Sequence, residues 1–387
     1  MKGRIKSISN KFIPVFSPRI SLLDALYIFK VAKKGSISGN APEVAAFETE
    51  MAKLCGRKFA IAVSNGTIAL DFAVEALNLQ PGDEVIVPAF TIVSCIHQLV
   101  LSKCSLVFVD VDPTTWNVNA ETIASAISPR TKCVLIPHTY GLPADMIEIE
   151  KICQANNIYL IEDAAEAHGQ SLENRQCGSF GIMSTFSFYA NKHITSGEGG
   201  MILTDDPSLY EKLISMRNLG FKKNKRFEHD ENYGNARMGG LQAALGLRKI
   251  KSLGQTIRIK QKQASYYDEL LSLSNHILQT PASYFKSTRN HYWVYGVLLK
   301  SKGIRDQVMI ELLSLGIETR PFFHPLHLQP YLKSKYSNTR LPISEDLGEN
   351  GLYLPTGDQI KRHMQRQIVN ALVQKVEILQ SGGNNDA

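Results

Sequence analysis

Lys192 stands where the sequence changes texture. Alternating apolar residues run from Ser184 to Ala190, the lysine follows, and a glycine-rich stretch, Gly197 to Gly200, leads into a second apolar run, Met201 to Thr204. Such a pattern reads as strand, loop, strand, with one amine held at the mouth. A lysine at a strand end is commonly only a solvated charge. Held out of water beside an acid, the same amine can attack a carbonyl and carry a proton. Three other places in the chain offer it company. Asp163 closes the apolar run Ile158 to Asp163, Gly66 and Thr67 follow the run Phe59 to Val63 and open a helical pattern, and Ser187 precedes the lysine on its own strand. A carboxylate near a cation stays ionised and holds it in place. Backbone N–H groups at a helix start attract an anion. Each signal also has a plainer reading: Asp163 could cap a helix, and Ser64-Asn65-Gly66-Thr67 is weaker than a P-loop.

These residues need a frame. Glu84 to Pro88, Leu106 to Asp110, Cys133 to His138 and Ile158 to Asp163 are short apolar runs separated by helical patterns at Val93 to Leu101, Ala120 to Ile127 and Met146 to Ala155. Strands alternating with helices imply an α/β fold, with a mostly parallel sheet covered on both faces. Ligands of such sheets bind beyond the carboxyl ends of the strands, where Gly66, Thr67, Pro88 to Ile92, His138 to Gly141, Asp163 to His168 and Ser187 to Lys192 would gather. From about Leu253 the texture turns helical and basic, followed by a strand at Tyr292 to Leu299, which suggests a smaller C-terminal α+β domain. The expected division is an N-terminal arm (1–40), a large domain (41–252), a small domain (253–380) and a disordered tail (381–387), in keeping with a chain of 387 residues that is too long for one core.

Composition narrows the class. A net charge of +7 suits an anionic small molecule and does not demand nucleic acid. No apolar run approaches the roughly 20 residues that span a bilayer, and the N-terminus lacks a signal-peptide core. Six cysteines without a Cys-x-x-Cys pair read as buried free thiols in a reducing compartment, so a cytoplasmic protein without a metal site is expected. The basic run Lys222 to Arg226 is either a solvated loop or an anion contact.

One ligand could use every residue at the mouth. A phosphate on Gly66, Thr67 and Ser187, a cationic ring nitrogen on Asp163 and a carbonyl on Lys192 are the three handles of pyridoxal 5′-phosphate. The chain resembles, over nearly its whole length, the DegT-type nucleotide-sugar aminotransferases, which are fold-type I pyridoxal-phosphate enzymes. The matching segments include Ser64-Asn65-Gly66-Thr67, Pro81 to Pro88, His138-Thr139-Tyr140-Gly141, Glu162 to Gly169, Gly178 to Gly181, the Lys192 stretch, Leu241 to Gly246 and Glu318 to His327. Within that family it is most similar to the branch that makes GDP-perosamine, through Glu166, Asn191 to Thr195 and the Arg320-Pro321-Phe322-Phe323 segment.

The resemblance implies amino transfer from L-glutamate to C4 of a nucleotide-linked 4-keto-6-deoxy sugar, GDP-4-keto-6-deoxy-D-mannose first, and with it a place in O-antigen and lipopolysaccharide biosynthesis. It implies that Lys192 bonds the cofactor and moves the proton, and that Asp163 holds the ring nitrogen. Gly66, Thr67, Ile68 and Ser187 would bind the phosphate, with Glu166 near the ring hydroxyl and Ile92 over the ring. A homodimer with shared sites would let Arg237 reach the neighbouring cofactor phosphate and the basic run approach the nucleotide diphosphate. His324, His327 and Arg320 become candidate sugar contacts. There are departures: Ile92 stands where many relatives stack an aromatic residue, leaving Phe90 and His168 as substitutes, and Gly239-Gly240 replaces a Thr-Asn pair, which would loosen that loop. The alternatives are a UDP- or dTDP-sugar aminotransferase, a related sugar dehydratase, in which histidine takes the lysine's place and for which His193 is a pointer, and a non-catalytic regulatory protein on the same fold.

Overall fold

The structure is a computed structural model that describes residues 12–222 and 225–382. Seven strands form the central sheet: β1 (Phe59–Val63), β2 (Glu84–Pro88), β3 (Ser105–Val109), β4 (Thr131–Pro137), β5 (Tyr159–Asp163), β6 (Met183–Ser187) and β7 (Gly200–Thr204). Their spatial order is β1-β7-β6-β5-β4-β2-β3. Only β7 runs against its neighbours, pairing antiparallel with both β1 and β6, while the remaining pairs are parallel. The inner strands are apolar on both faces, as Val85, Ile86 and Val87 show by being fully buried, because helices cover the sheet on each side. The expected α/β architecture is therefore the one observed.

Local chemistry sets the elements around β1. Helix α1 (Leu22–Lys33) starts on a capping box, in which Ser21 accepts from the Asp24 N–H and Asp24 accepts from the Ser21 N–H. Helix α2 (Pro42–Cys55) has proline in its first turn and ends at Gly56 in the left-handed region. Helix α3 (Gly66–Ala76) follows β1 directly, capped by Asn65, whose Oδ1 accepts from the Ile68 N–H at 2.9 Å.

The small domain differs from expectation in several places. The helix Gly240–Leu271 is continuous, so the expected boundary at 252/253 falls inside it rather than in a linker. The strand near the tryptophan begins at Tyr295, not Tyr292, because Tyr292 takes a φ of 54° that breaks extended pairing. It joins Leu278–Gln279, Gly351–Leu354 and Arg320–Pro321 in a four-stranded sheet. The N-terminal arm is woven into this domain: the Ile13 N–H bonds to the Gly316 carbonyl, and the Thr356 N–H bonds to the Val15 carbonyl. The C-terminal helix Arg362–Gly382 extends into the stretch expected to be a tail, and residues 383–387 lie outside the described residues. Where the two domains meet, Phe90, Trp116, Tyr140, Trp293 and Phe322 pack as one buried aromatic cluster.

Candidate active site

A cavity of about 360 Å³ opens at the carboxyl ends of the strands. Its large-domain wall comprises Gly66 and Thr67 at the start of α3, Ile92 and Ser94 after β2, His138 after β4, Asp163 at the end of β5 with Glu166 beyond it, and Ser187 at the end of β6 with Lys192 beyond it. The sequence reading had placed most of these at one mouth, and the sheet order explains why: β6, β5, β4 and β2 lie side by side and end together.

Lys192 Nζ lies 3.4 Å from Glu166 Oε1 and 3.8 Å from the centre of the Trp293 ring. A carboxylate on one side and an aromatic face on the other hold the amine in one place. Glu166 is itself fixed, since its Oε2 accepts from the Tyr140 N–H at 2.8 Å. Burial pushes the Glu166 carboxyl up to about 7, against the opposing pull of the Lys192 charge. Asp163 is 5% exposed. Its Oδ1 accepts from the Ala165 N–H at 3.0 Å and from Thr185 Oγ1 at 3.4 Å, and Cys95 Sγ donates to Oδ2 at 3.4 Å. Burial pushes this carboxyl up as well, with the Ala165 bond and the Lys192 charge pulling it back.

At the other end, Thr67 Oγ1 lies 2.8 Å from Ser94 Oγ, and Ser187 packs directly on Gly66, where no side chain fits. The expectation for Ile68 needs correcting. Its N–H is consumed by the Asn65 cap, so the N–H groups of Gly66 and Thr67 remain without a partner among the described residues. The chemistry of these donors fits pyridoxal 5′-phosphate. Two N–H groups at a helix start with hydroxyls beside them suit a phosphate. A buried carboxylate without a full cationic partner suits a protonated ring nitrogen, and a clamped amine lies between the two.

Other expectations change in detail. Ile92, 41% exposed, does line the cavity, but neither substitute for it does. Phe90 is fully buried in the inter-domain cluster, and His168 is fully buried with Nδ1 accepting from the Ile194 N–H at 3.0 Å. The aromatic side chains at the cavity are Tyr189 from the large domain and Trp293, Phe323 and Tyr353 from the small one. A side chain at Gly200 would strike the Asn65 carbonyl at 2.2 Å, so this glycine permits the close approach between β7 and the turn before α3. Gly240 likewise tightens its loop rather than loosening it, because a side chain there would meet the Ser36 carbonyl at 2.2 Å.

Several expected contacts lie elsewhere. Arg237 pairs across to β1 at Val63 but sends its guanidinium to Asn218 Oδ1, on a surface away from the cavity. Lys222 is engaged by Glu228 at 3.5 Å and Asp230 at 3.3 Å, while Lys223 and Asn224 lie outside the described residues. His327 is fully buried against Glu345, 3.1 Å away, and Phe108, so its ring serves packing and does not line the cavity. His324 is exposed and bonds the Leu328 carbonyl at 3.2 Å. Arg320 pairs with Glu318 at 2.7 Å on the strand register of Tyr353, a cavity residue. His138 Nε2 is bound to Glu162 at 2.8 Å, and its Nδ1 accepts from Ala144. The same Glu162 takes the Gly178 and Phe180 N–H groups, so of His138, Glu162 and Cys177, which lie close enough to hold a metal, the histidine and the carboxylate are already bonded within the protein.

Sequence reasoning missed Cys95, Ser94 and the small-domain aromatics. The thiol carried only the signal of a buried cysteine. Trp293 lies 101 residues beyond Lys192, so no local pattern connects them.

Residues 22–373 match the model of the DegT/DnrJ/EryC1/StrS aminotransferase family. The chain is 37% identical over 348 residues to a GDP-perosamine synthase from Caulobacter vibrioides, covering 89% of this chain and 93% of the relative. It is 34% identical over 346 residues to one from Escherichia coli O157:H7, with the same coverage. Among solved structures it is similar to an Escherichia coli GDP-4-keto-6-deoxy-D-mannose-3-dehydratase with bound hydrated pyridoxal phosphate. There the TM-score is 0.84, with 27% identity and coverage of 93% of this chain and 99% of that one.

Proposed function

The chain belongs to the DegT/DnrJ/EryC1/StrS aminotransferase family, and on that premise we propose that this pyridoxal-phosphate-dependent enzyme moves an amino group from L-glutamate to C4 of GDP-4-keto-6-deoxy-D-mannose, giving GDP-perosamine. The observation that carries the reading is the clamped amine: Lys192 Nζ sits between Glu166 and Trp293 in the cavity that also holds Asp163 and the start of α3. The names of the relatives from Caulobacter vibrioides and Escherichia coli support the sugar and the nucleotide.

When bound, pyridoxal phosphate supplies an aldehyde that bonds amines and a ring that accepts electrons. The residues divide the remaining work. The Gly66 and Thr67 N–H groups, with the Thr67 and Ser187 hydroxyls, would hold the phosphate. Asp163 would keep the ring nitrogen protonated, since two oxygens fixed by Ala165, Thr185 and Cys95 cannot turn away. Lys192 would bond the aldehyde carbon and, once released, use Nζ to take a proton from the donor's α-carbon and to deliver one to C4 of the sugar. Glu166 would orient that amine. Trp293, Phe323 and Tyr353 would close the cavity from the small domain and exclude water.

A homodimer is part of this proposal. Leu22, Leu23, Leu26 and Phe29 of α1 are each more than half exposed, an apolar face that a homodimer would bury. Arg237, bridged to Val63 just before the Gly66 turn but with its guanidinium turned outward, would then serve the neighbouring cofactor phosphate. The six cysteines are free, in keeping with a cytoplasmic enzyme of O-antigen biosynthesis, and no helix among the described residues is long and apolar enough to cross a membrane.

The dehydratase reading loses ground on geometry. His193 borders a different cavity, behind the lysine, and does not face the one that holds Asp163. Incubation with GDP-, UDP- and dTDP-linked 4-keto-6-deoxy sugars plus L-glutamate, read by mass spectrometry, decides the substrate. An amine on the GDP sugar is expected; amines only on the UDP or dTDP sugars would overturn the choice of nucleotide.

A further inference from the structure

Behind the lysine segment lies a second cavity, of about 50 Å³, that amino transfer leaves unused. Asn191 and Lys192 border both cavities, so two consecutive residues form the partition between them. On the far side the wall carries Arg19, His193, Thr195, Lys249 and Lys260.

The charges on that wall do not balance. Arg19 is paired with Asp358 at 2.9 Å, and Lys249 is paired with Asp24 at 2.6 Å. Lys260, 5% exposed, donates to the Trp293 carbonyl at 3.0 Å and to Thr356 Oγ1 at 2.6 Å, but has no carboxylate partner among the described residues. The wall thus holds two ion pairs and one further lysine with no carboxylate, while the Lys192 amine is turned away toward Glu166. His193 is 4% exposed, and neither of its ring nitrogens has a partner among the described residues. An imidazole carries at least one N–H in any protonation state. A buried N–H without an acceptor, beside a lysine without a counter-ion, is costly, and interiors relieve that cost with a bound water or ion or by releasing the lysine's proton.

We propose that this cavity binds a small monovalent anion of the chloride class, between Lys260 Nζ and the His193 ring. One negative charge cancels the excess and accepts from both donors at once. The volume also fits: a single water needs about 10–15 Å³, so the space suits a halide. Burial pushes the Lys260 ammonium down to about 7 and the His193 ring below its ordinary range, with the Lys260 charge adding to the latter. An anion opposes both shifts. Its site touches the reacting amine indirectly, because Lys260 holds the backbone of Trp293, whose ring covers Lys192 Nζ and whose indole N–H donates to the Asn191 carbonyl at 3.1 Å.

The test uses the full chain with its cofactor in gluconate buffer at constant ionic strength, with chloride or bromide replacing gluconate stepwise. Tm should rise saturably, by on the order of 2 °C, and Lys260→Met should remove the saturable part. Because that variant could fold poorly, crystals of the unaltered protein soaked in bromide give an independent reading, an anomalous peak within hydrogen-bond distance of Lys260 Nζ. A flat titration, an unchanged response in a folded Lys260→Met, or bromide density only elsewhere would overturn the proposal and leave the cavity to water. A peak at the site without any halide effect on Tm would mean an adventitious ion only, and would overturn it equally. Stability and position are read here, so the outcome does not depend on which sugar the enzyme takes.

Discussion

The two walls of the active-site cavity are built on opposite principles. The large-domain wall carries the polar groups, and strand ends place them: Asp163 and Ser187 end strands of one sheet, Glu166 and Lys192 lie just beyond them, and Thr67 opens the helix that β1 feeds. The small-domain wall is aromatic, formed by Trp293, Phe323 and Tyr353, and is held by bonds that cross between domains. Trp293 Nε1 donates to the Asn191 carbonyl, the Trp293 N–H donates to the Tyr140 carbonyl, and the Phe323 N–H donates to the Tyr140 hydroxyl at 3.2 Å. In the proposed reaction, one wall would supply the groups that move protons and hold charge. The other supplies cover. A rigid sheet can fix catalytic atoms to fractions of an ångström, whereas a cover need only exclude water and restrain one amine.

If that division is right, damage to the polar wall should cost far more than damage to the aromatic one. Lys192→Ala should lower the rate of amino transfer at least about a thousandfold, since it removes the proposed proton carrier. Asp163→Asn should cost about a hundredfold, with weakened cofactor retention as a second reading. Trp293→Leu should cost only about tenfold, matching the loss of one buried cation–π contact, and should raise the rate at which bound cofactor exchanges. Comparable losses for Lys192→Ala and Trp293→Leu would break the comparison. Smaller again, Ile92→Tyr should tighten cofactor binding about threefold by restoring an aromatic surface at the cavity edge.

A pH effect sharpens the polar side. The folded protein holds the Glu166 carboxyl near 7, above its unfolded value of 4.5. The folded state therefore binds a proton that the unfolded state has released, and stability falls as pH rises from about 4.5 to 7. In cofactor-free protein, Glu166→Gln should flatten that part of the stability curve, as followed by thermal unfolding across the range.

The same contrast explains what could be read from the sequence. Strand ends announce themselves locally, because an apolar run that stops at Asp163, or at the Gly66 turn, marks both the element and the residue that leaves it. Lys192, Asp163, Thr67 and Ser187 were legible for that reason, and the resemblance added Glu166. The aromatic wall was not legible. Trp293 and Phe323 look like ordinary core residues of a small domain, and only the meeting of two domains turns them toward the lysine. Ile68 misled for a finer reason: which N–H of a helix start is free depends on the side chain that caps it, and Asn65 chose the third. His327 misled because a motif says nothing about burial, and its ring turned inward on Phe108 and Glu345.

The central claim is that the amine clamped by Glu166 and Trp293 is the one that bonds the cofactor. It is tested most directly by treating the cofactor-loaded protein with borohydride and sequencing its peptides by mass spectrometry. The mass of a reduced phosphopyridoxyl group is predicted on the peptide that carries Lys192, with the visible absorbance lost. The same mass on any other lysine, or none after added cofactor, would contradict the account.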